Sequence, residues 1–381
     1  MPPSSPFRRL SVHGHVVART IYLVLCLSVL AGPLLEAQDP DTEPPPPPGL
    51  YTLHVYTNLV QVPTLVLNSN NKPVSSLTRT QFSIALDGGP LFHPTQMRLE
   101  GEDPVSLGIL IDASGGEEEL VQKLPAALAG LAPQYLHPSD QLMLFALDCK
   151  LVHSTTPIPA SASGITKGLT AVLRSPGLHG EKSHGSCSRT TRLWDSIISV
   201  DNVLKDMPGR RVLLIISSGN DHQSQTSFQE TQLYSGFFAI AIFGMRDPDG
   251  PLIGEIPNRS DVRHGGLTAG TLYEAADSFD LLCRTNGGLL LNVRSWTLAQ
   301  SLQSFITMLR GRYILEFPRP DNSTAGNHNI DITLPGKNAL ILATGVATPL
   351  PDPALLADPN TVPVAPSPAQ MGTHKPASHT P

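Results

Sequence analysis

The sequence predicts an α/β protein, a doubly wound, mostly parallel sheet flanked by a small β-sandwich built from N- and C-terminal strands. Three observations point there. Over residues 101 to 297, uncharged Leu/Ile/Val runs alternate with helical stripes, as in a parallel sheet covered on both faces. Residues 51 to 100 instead carry short alternating runs broken at Asn70-Asn71 and Asp87-Gly88, which are strand and turn signals. That N-terminal unit makes a thin core by itself, so strands from the C-terminal end are expected to complete it.

The first residues of the 381-residue chain have a different character. Arg8, Arg9 and Arg19 precede IYLVLCLSVLAGPLL, an apolar stretch short for a bilayer span and followed by small or polar residues. This predicts a secretory signal peptide over residues 1–37, cleaved near Ala37 or, alternatively, around Ala31 or Gly32. An uncleaved anchor is the other reading. Cys26 has no small residues before it, which argues against a lipoprotein signal. Residues 38–50, QDPDTEPPPPPG and the leucine after it, form a Pro-rich linker with no core of its own. The mature chain contains no other long apolar segment, so no transmembrane segment is expected there. Export places the protein in the periplasm, on the outer surface or outside the cell.

The central region is legible element by element. VSLGILIDASGG (Val105 to Gly116) is an uncharged strand that ends in Asp112, Ser114 and two glycines. In doubly wound folds the carboxyl edge of the sheet is where ligands bind. Leu120, Val121, Leu124, Ala127, Leu128 and Leu131 then recur at helical spacing behind Glu117, Glu118 and Glu119. Pro125 should kink this helix or delay its start. Further strands are QLMLFAL from Gln141, VLLIIS from Val212, FFAIAIF from Phe237 and LLLNV from Leu289. The helix after Thr191 (Leu193, Trp194, Ile197, Ile198, Leu204) stops before Pro208-Gly209, and another after Thr271 (Leu272, Ala275, Ala276, Phe279, Leu282) exits at Asn286-Gly287-Gly288. Two long loops, 174–190 and 244–270, are expected to project from the edge that carries Asp112. Residues 298–349 supply a helix through Leu298, Leu302, Phe305, Ile306 and Leu309, then strands in GRYILEFPRP, HNIDITLP and ALILATGV that pack with the 51–100 unit. Residues 350–381 are rich in Pro, Ala, Ser and Thr and are expected to be disordered.

Asp-x-Ser after such a strand resembles the metal-ion-dependent adhesion site of von Willebrand factor A domains, whose pattern is Asp-x-Ser-x-Ser, a distant Thr and a distant Asp. TTRLWDSII from Thr190 is similar to the family's Thr-bearing helix start, and RRVLLIISSGND from Arg210 to its next strand and loop. Asn58 to Pro90 resembles the domain that precedes the A-type domain in the VWFA-related family of bacterial secreted proteins described first in acidobacteria, and YILEF matches a later strand of that family. Together these segments cover most of residues 51–346. The resemblance implies an A-type domain over 101–297. It also implies that Asp112, Ser114 and Thr191, with Thr190 as competitor, hold Mg²⁺ or Mn²⁺ in a hard-oxygen shell completed by an acidic side chain of a partner. Two positions depart from the pattern. Gly116 stands where the family has its second Ser, and Ser218 where it has its second Asp, so the site is degenerate. Asp221 is a candidate substitute, although its spacing does not match. In the alternative reading no metal binds, and Asp112 and Ser114 cap the following helix.

Other chemistry is weaker. Cys149, Cys187 and Cys283 remain after the signal, and Cys149 with Cys187 is a candidate disulfide; three unpaired thiols are the alternative. His179, His184 and Cys187 carry zinc-binding groups but lack a fourth ligand. DPDGPLIGE, from Asp247, has the wrong carboxylate spacing for a calcium loop and is read as a turn. No Gly-x-Ser-x-Gly occurs, which leaves Ser114 as the nucleophile of an alternative, a secreted hydrolase with no assignable base. A net charge of −6 without a basic stripe speaks against nucleic acid. The sequence therefore predicts an exported, non-enzymatic binding, adhesion or scaffold protein that engages a protein or cell-surface ligand. Its rivals are metal-free recognition through the two long loops and the Ser114 hydrolase.

Overall fold

The computed structural model describes residues 54–56, 59–115, 117–132, 134–178, 191–249, 277–320, 326–344, 346–348, 361–363 and 369–372. The expected signal peptide and linker, Gly116, His179, His184, Cys187, Thr190, the helical stripe at 272–276 and most of the tail lie outside these residues.

The described chain begins with β1 (His54–Tyr56), β2 (Leu59–Leu67), β3 (Ser83–Leu86) and β4 (Gln96–Leu99). Next come β5 (Val105–Asp112), α1 (Glu118–Ala129), β6 (Gln141–Leu147), β7 (Leu151–His153), β8 (Ile158–Pro159) and α2 (Ala162–Leu173). The second half of the α/β region is α3 (Leu193–Leu204), β9 (Arg210–Ile216), α4 (Phe228–Phe237), β10 (Ala241–Arg246), α5 (Ser278–Thr285), β11 (Leu290–Asn292) and α6 (Leu298–Arg310). Five strands follow: β12 (Tyr313–Pro318), β13 (Gly326–His328), β14 (Ile330–Thr333), β15 (Leu340–Ala343), β16 (Val346–Thr348), and then the short β17 (Thr361–Pro363).

The central sheet runs in the order β7-β6-β5-β9-β10-β11. The strands from β6 across to β11 are parallel, while β7 and β8 pair antiparallel with β6. This is a mixed α/β fold with a mostly parallel sheet. Strand β5 is buried along its whole length, as its uncharged sequence requires of a strand covered on both faces. One face packs on α1, α2 and α6 through Leu124, Leu169 and Phe305; the other packs on α3 and α5 through Ile197 and Phe279.

Two local expectations change. Regular helix does not wait for Pro125: α1 starts at Glu118 and continues through the proline, its apolar side held by buried Leu120, Leu124 and Leu128. Phe237 and Phe238 are not part of a strand. Phe237 ends α4, Ala239 turns the chain with a positive φ of 50°, and β10 begins only at Ala241.

A small antiparallel sheet, ordered β15-β2-β12-β4, joins the N- and C-terminal segments, and β14 pairs with β3. The period of two in β2 divides its side chains between two cores. Val60, Val62 and Val66 face the sandwich, where Phe82, Ile84, Tyr313 and Phe317 pack, while Leu65 and Leu67 join the core beneath α6. At the start of β12, Arg312 donates to both carboxylate oxygens of Glu100 at 2.7 Å, with both side chains buried. Among the described residues no helix is long and apolar enough to cross a membrane.

Candidate functional site

Strand order reverses between β5 and β9: from β5 the chain winds outward through β6, and from β9 through β10 to β11. Loops leaving the carboxyl ends of these two strands diverge to opposite faces and open a crevice, the usual ligand position in such sheets. Asp112 ends β5, and the register that pairs Ile111 with Ile216 brings Ser217, the residue after β9, level with it.

Asp112 is buried, and both carboxylate oxygens are engaged. Oδ1 accepts the Ser114 hydroxyl at 2.5 Å and the Ser114 amide at 3.0 Å, and Oδ2 accepts the Ser217 hydroxyl at 2.7 Å. Thr191, at the entry to α3, donates its hydroxyl to Ser114 Oγ at 2.9 Å. The structure thus brings Thr191 to Asp112 and Ser114, from which it lies far apart in the chain. Burial pushes the Asp112 carboxyl above its ordinary range; the serine hydrogen bonds oppose this, and the nearby charge of Asp148 adds to it.

The helix-capping alternative for Asp112 and Ser114 is not what is observed. Glu117 occupies the cap position of α1 without a side-chain cap bond, and the Asp112 and Ser114 side chains turn to each other and across the crevice. Asp221 does not enter the site either. Its Oδ1 accepts the Trp194 amide at 3.2 Å in the first turn of α3 and the Ser224 hydroxyl at 2.5 Å, so it serves as a substitute helix cap. Ser218 is buried at the same edge.

Sequence reasoning missed Ser217, Glu117 and Asp247. Glu117 is buried and accepts the Asp247 amide at 3.0 and 3.2 Å, which ties the loop after β10 to the start of α1. Its carboxyl is pushed up to about 8, first by burial and then by the charges of Asp247 and Asp112, against the Asp247 hydrogen bond and Arg246. Choosing Ser217 over its neighbour Ser218 needs the β5–β9 register, which only the fold supplies, and the pairing of Glu117 with Asp247 had no signal in the sequence. Gly219 closes the β9 loop with φ +84°, and a Cβ there would meet Phe279 Cβ at 2.7 Å, so both backbone and space demand glycine.

The donor set fits a resident divalent cation poorly. One carboxylate and three hydroxyls converge, a low negative charge for a shell that is to hold a hard divalent ion. Among the described residues there is no group of three or more His, Cys, Asp or Glu side chains placed to hold a metal ion. Cys149 is disulfide-bonded to a partner outside the described residues, and Cys283 is free and buried.

No protein-family model and no curated protein sequence matches the chain. Solved structures with similar folds include an aerotolerance-related membrane protein from Bacteroides fragilis, at 17% identity and TM-score 0.35, covering 53% of this chain and 98% of that one. The vWF domain of the type V pilus tip protein Mfa5 from Porphyromonas gingivalis is similar at 11% identity and TM-score 0.24, over 31% of this chain and 39% of that one. The pilus adhesin SpaC from Lactobacillus rhamnosus GG gives 8% identity and TM-score 0.36, over 75% and 49%. At such scores these likenesses carry no weight of their own, and the fold rests on the strand order above.

Proposed function

We propose that this is an exported, non-enzymatic protein-binding module, of adhesion or scaffold type, that captures a protein or cell-surface ligand on the carboxyl edge of its sheet without a resident divalent ion. The observation that supports this reading best is the bonding of Asp112 on β5 to Ser217 beyond β9, across the point where strand order reverses. Hydroxyl groups there satisfy the carboxylate that a metal would otherwise neutralise. The edge is thus a preorganised polar floor beneath loops from several strands, kept in shape by bonds that need no ion.

In this reading the chain keeps the frame of a von Willebrand factor A-like domain of the VWFA-related secreted type, with a degenerate adhesion site. The A-type domain spans 101–297, the flanking β strands come from 51–100 and 298–349, and Cys149 pairs with Cys187. The hydrolase reading is weaker, because the hydrogen-bond partners of the Ser114 hydroxyl are Asp112 and Thr191 rather than an imidazole.

The test is capture of surface proteins by the immobilised chain in Mg²⁺, in Mn²⁺ and in chelator, beside Asn220→Trp, which places a bulky ring on the edge. Equal capture in all three solutions and loss in the variant support the proposal. Saturable Mg²⁺ or Mn²⁺ binding by calorimetry that vanishes in Asp112→Ala would replace it with a metal-dependent site. A hydrolytic activity that disappears in a folded Ser114→Ala protein would replace it with the enzyme.

A further inference from the structure

The same sheet edge carries a feature that the polar floor does not use. Trp296 follows β11 on the way into α6 and is 72% exposed, whereas Trp194, the other tryptophan, is 7% exposed. Trp296 is the most exposed of the large apolar side chains among the described residues, and tryptophan and arginine are enriched among the energetic anchors of protein interfaces.

The surroundings indicate what the ring accepts. Arg294 lies 5.5 Å from the ring centroid, so one region of the indole already holds a cation. Its charge is spoken for, because Arg294 Nε pairs with Asp249 Oδ2 at 3.0 Å. Asp249 in turn donates its amide to Asp247, and Asp247 donates its amide to Glu117 beside the Asp112 floor. Ser295 donates its hydroxyl to Glu119 in the first turn of α1 and accepts from Lys123. The side chains of the two residues before Trp296 are therefore bonded to the loop after β10 and to α1. On the segments bonded to Arg294 and Ser295 stand the exposed or half-exposed carboxylates of Glu119, Asp247 and Asp249, with the cations Lys123 and Arg294. The rim is net acidic.

We propose that Trp296 and this acidic rim form the docking point for a basic segment of the partner protein, one Lys or Arg of which stacks on the exposed indole while its charge faces Asp249 and Asp247. This rests on the reading of the edge as a binding surface and supplies its ligand chemistry. An ammonium or guanidinium gains both from the ring quadrupole and from the carboxylates. A carboxylate ligand would be repelled. The inference inverts the partner charge that a metal-bearing edge would select.

The test uses the full chain in chelator, titrated with a short arginine–glycine peptide and, separately, with a glutamate–glycine peptide, followed by tryptophan emission and calorimetry. The basic peptide should bind saturably, weaken as salt rises, and lose at least about fivefold in affinity in Trp296→Ala and in Asp249→Asn, with thermal unfolding unchanged. Trp296→Phe should recover part of the loss. Binding of the acidic peptide instead, or basic-peptide binding indifferent to Trp296→Ala, overturns the proposal. Binding that survives Trp296→Ala but is lost in Asn220→Trp overturns it while leaving the edge reading intact. If neither peptide binds yet surface proteins are still captured, the basic-ligand proposal alone fails; if capture is absent as well, both fail.

Discussion

Thr191 Oγ1 donates to Ser114 Oγ across 2.9 Å, joining residues 77 positions apart. Because Ser114 in turn donates its hydroxyl hydrogen bond to Asp112 Oδ1, the entry of α3 is coupled to the end of β5 through one serine. A hydroxyl relay in a buried setting is stronger than its separate bonds, and its middle member matters most.

Ser114→Ala should therefore cost more than Thr191→Val. Removing Ser114 Oγ leaves one buried oxygen of Asp112 with a single amide donor and breaks the bond from Thr191, and should lower unfolding free energy by about 1–3 kcal/mol. Thr191→Val keeps the Ser114–Asp112 bond and should cost about 1 kcal/mol. Urea denaturation of the two variants orders them; equal losses would mean that the relay does not act as a unit.

The pH dependence of stability should carry the mark of Glu117. Its folded pKa of about 8 lies above the ordinary value of 4.5, so the unfolded chain releases this proton first as pH rises. Stability from this group is complete below about 4.5 and is lost progressively up to about 8. Glu117→Gln removes that loss while a side-chain oxygen still faces the Asp247 amide. The variant should match the parent at pH 4 and exceed it at pH 8 in melting temperature. A variant less stable than the parent at pH 8 would show that the negative charge is needed.

A second buried carboxyl acts in the same direction at another place. Asp201 on α3 accepts the Ser235 hydroxyl of α4 at 2.5 Å on Oδ2, while Oδ1 has no hydrogen-bond partner. Burial raises its pKa from 3.8 to about 7, against the Ser235 bond. Its contribution is therefore present below about 3.8 and disappears as pH climbs to about 7. Asp201→Asn should raise stability at pH 8 by on the order of 1 kcal/mol and change little at pH 4. Ser235→Ala should lower stability at both.

At the opposite end of the sheet, Arg312→Met should cost about 3–5 kcal/mol, since it strands the Glu100 carboxylate in a buried site. Adding Glu100→Leu should restore part of that loss, because a well-packed apolar pair avoids the desolvation cost. Chemical denaturation of the single and double variants checks the order. A double variant as unstable as Arg312→Met would mean that packing rather than charge governs the junction.

Legibility in the sequence followed the range of the interaction. The uncharged run Val105 to Ile111 announced a central strand because burial on both faces leaves a local signature, and β5 is buried throughout. The Leu298, Leu302, Phe305 and Leu309 stripe announced α6 for the same reason. Strand β10 was harder to read. Phe237 and Phe238 look like strand residues, and only the turn at Ala239 separates them from Ala241. In the site, Asp112 and Ser114 were visible because they share one loop, and Thr191 through a family pattern. Ser217 was hidden beside Ser218, because choosing between neighbours requires knowing which position stands level with Asp112.

The sequence by itself determined the alternation of strands and helices, the residues that end β5, and the absence of a second carboxylate at position 218. These depend on side-chain type and short spacing, which the chain records directly. Tertiary structure alone decided that Asp112 bonds to Ser217 rather than capping α1, that Asp221 serves α3, that Glu117 is buried against Asp247, and that Trp296 remains in water. Each of those outcomes depends on which distant segment arrives beside a polar group, and the hydrogen bonds and burial that follow are set by strand register and loop closure, not by neighbours in the chain.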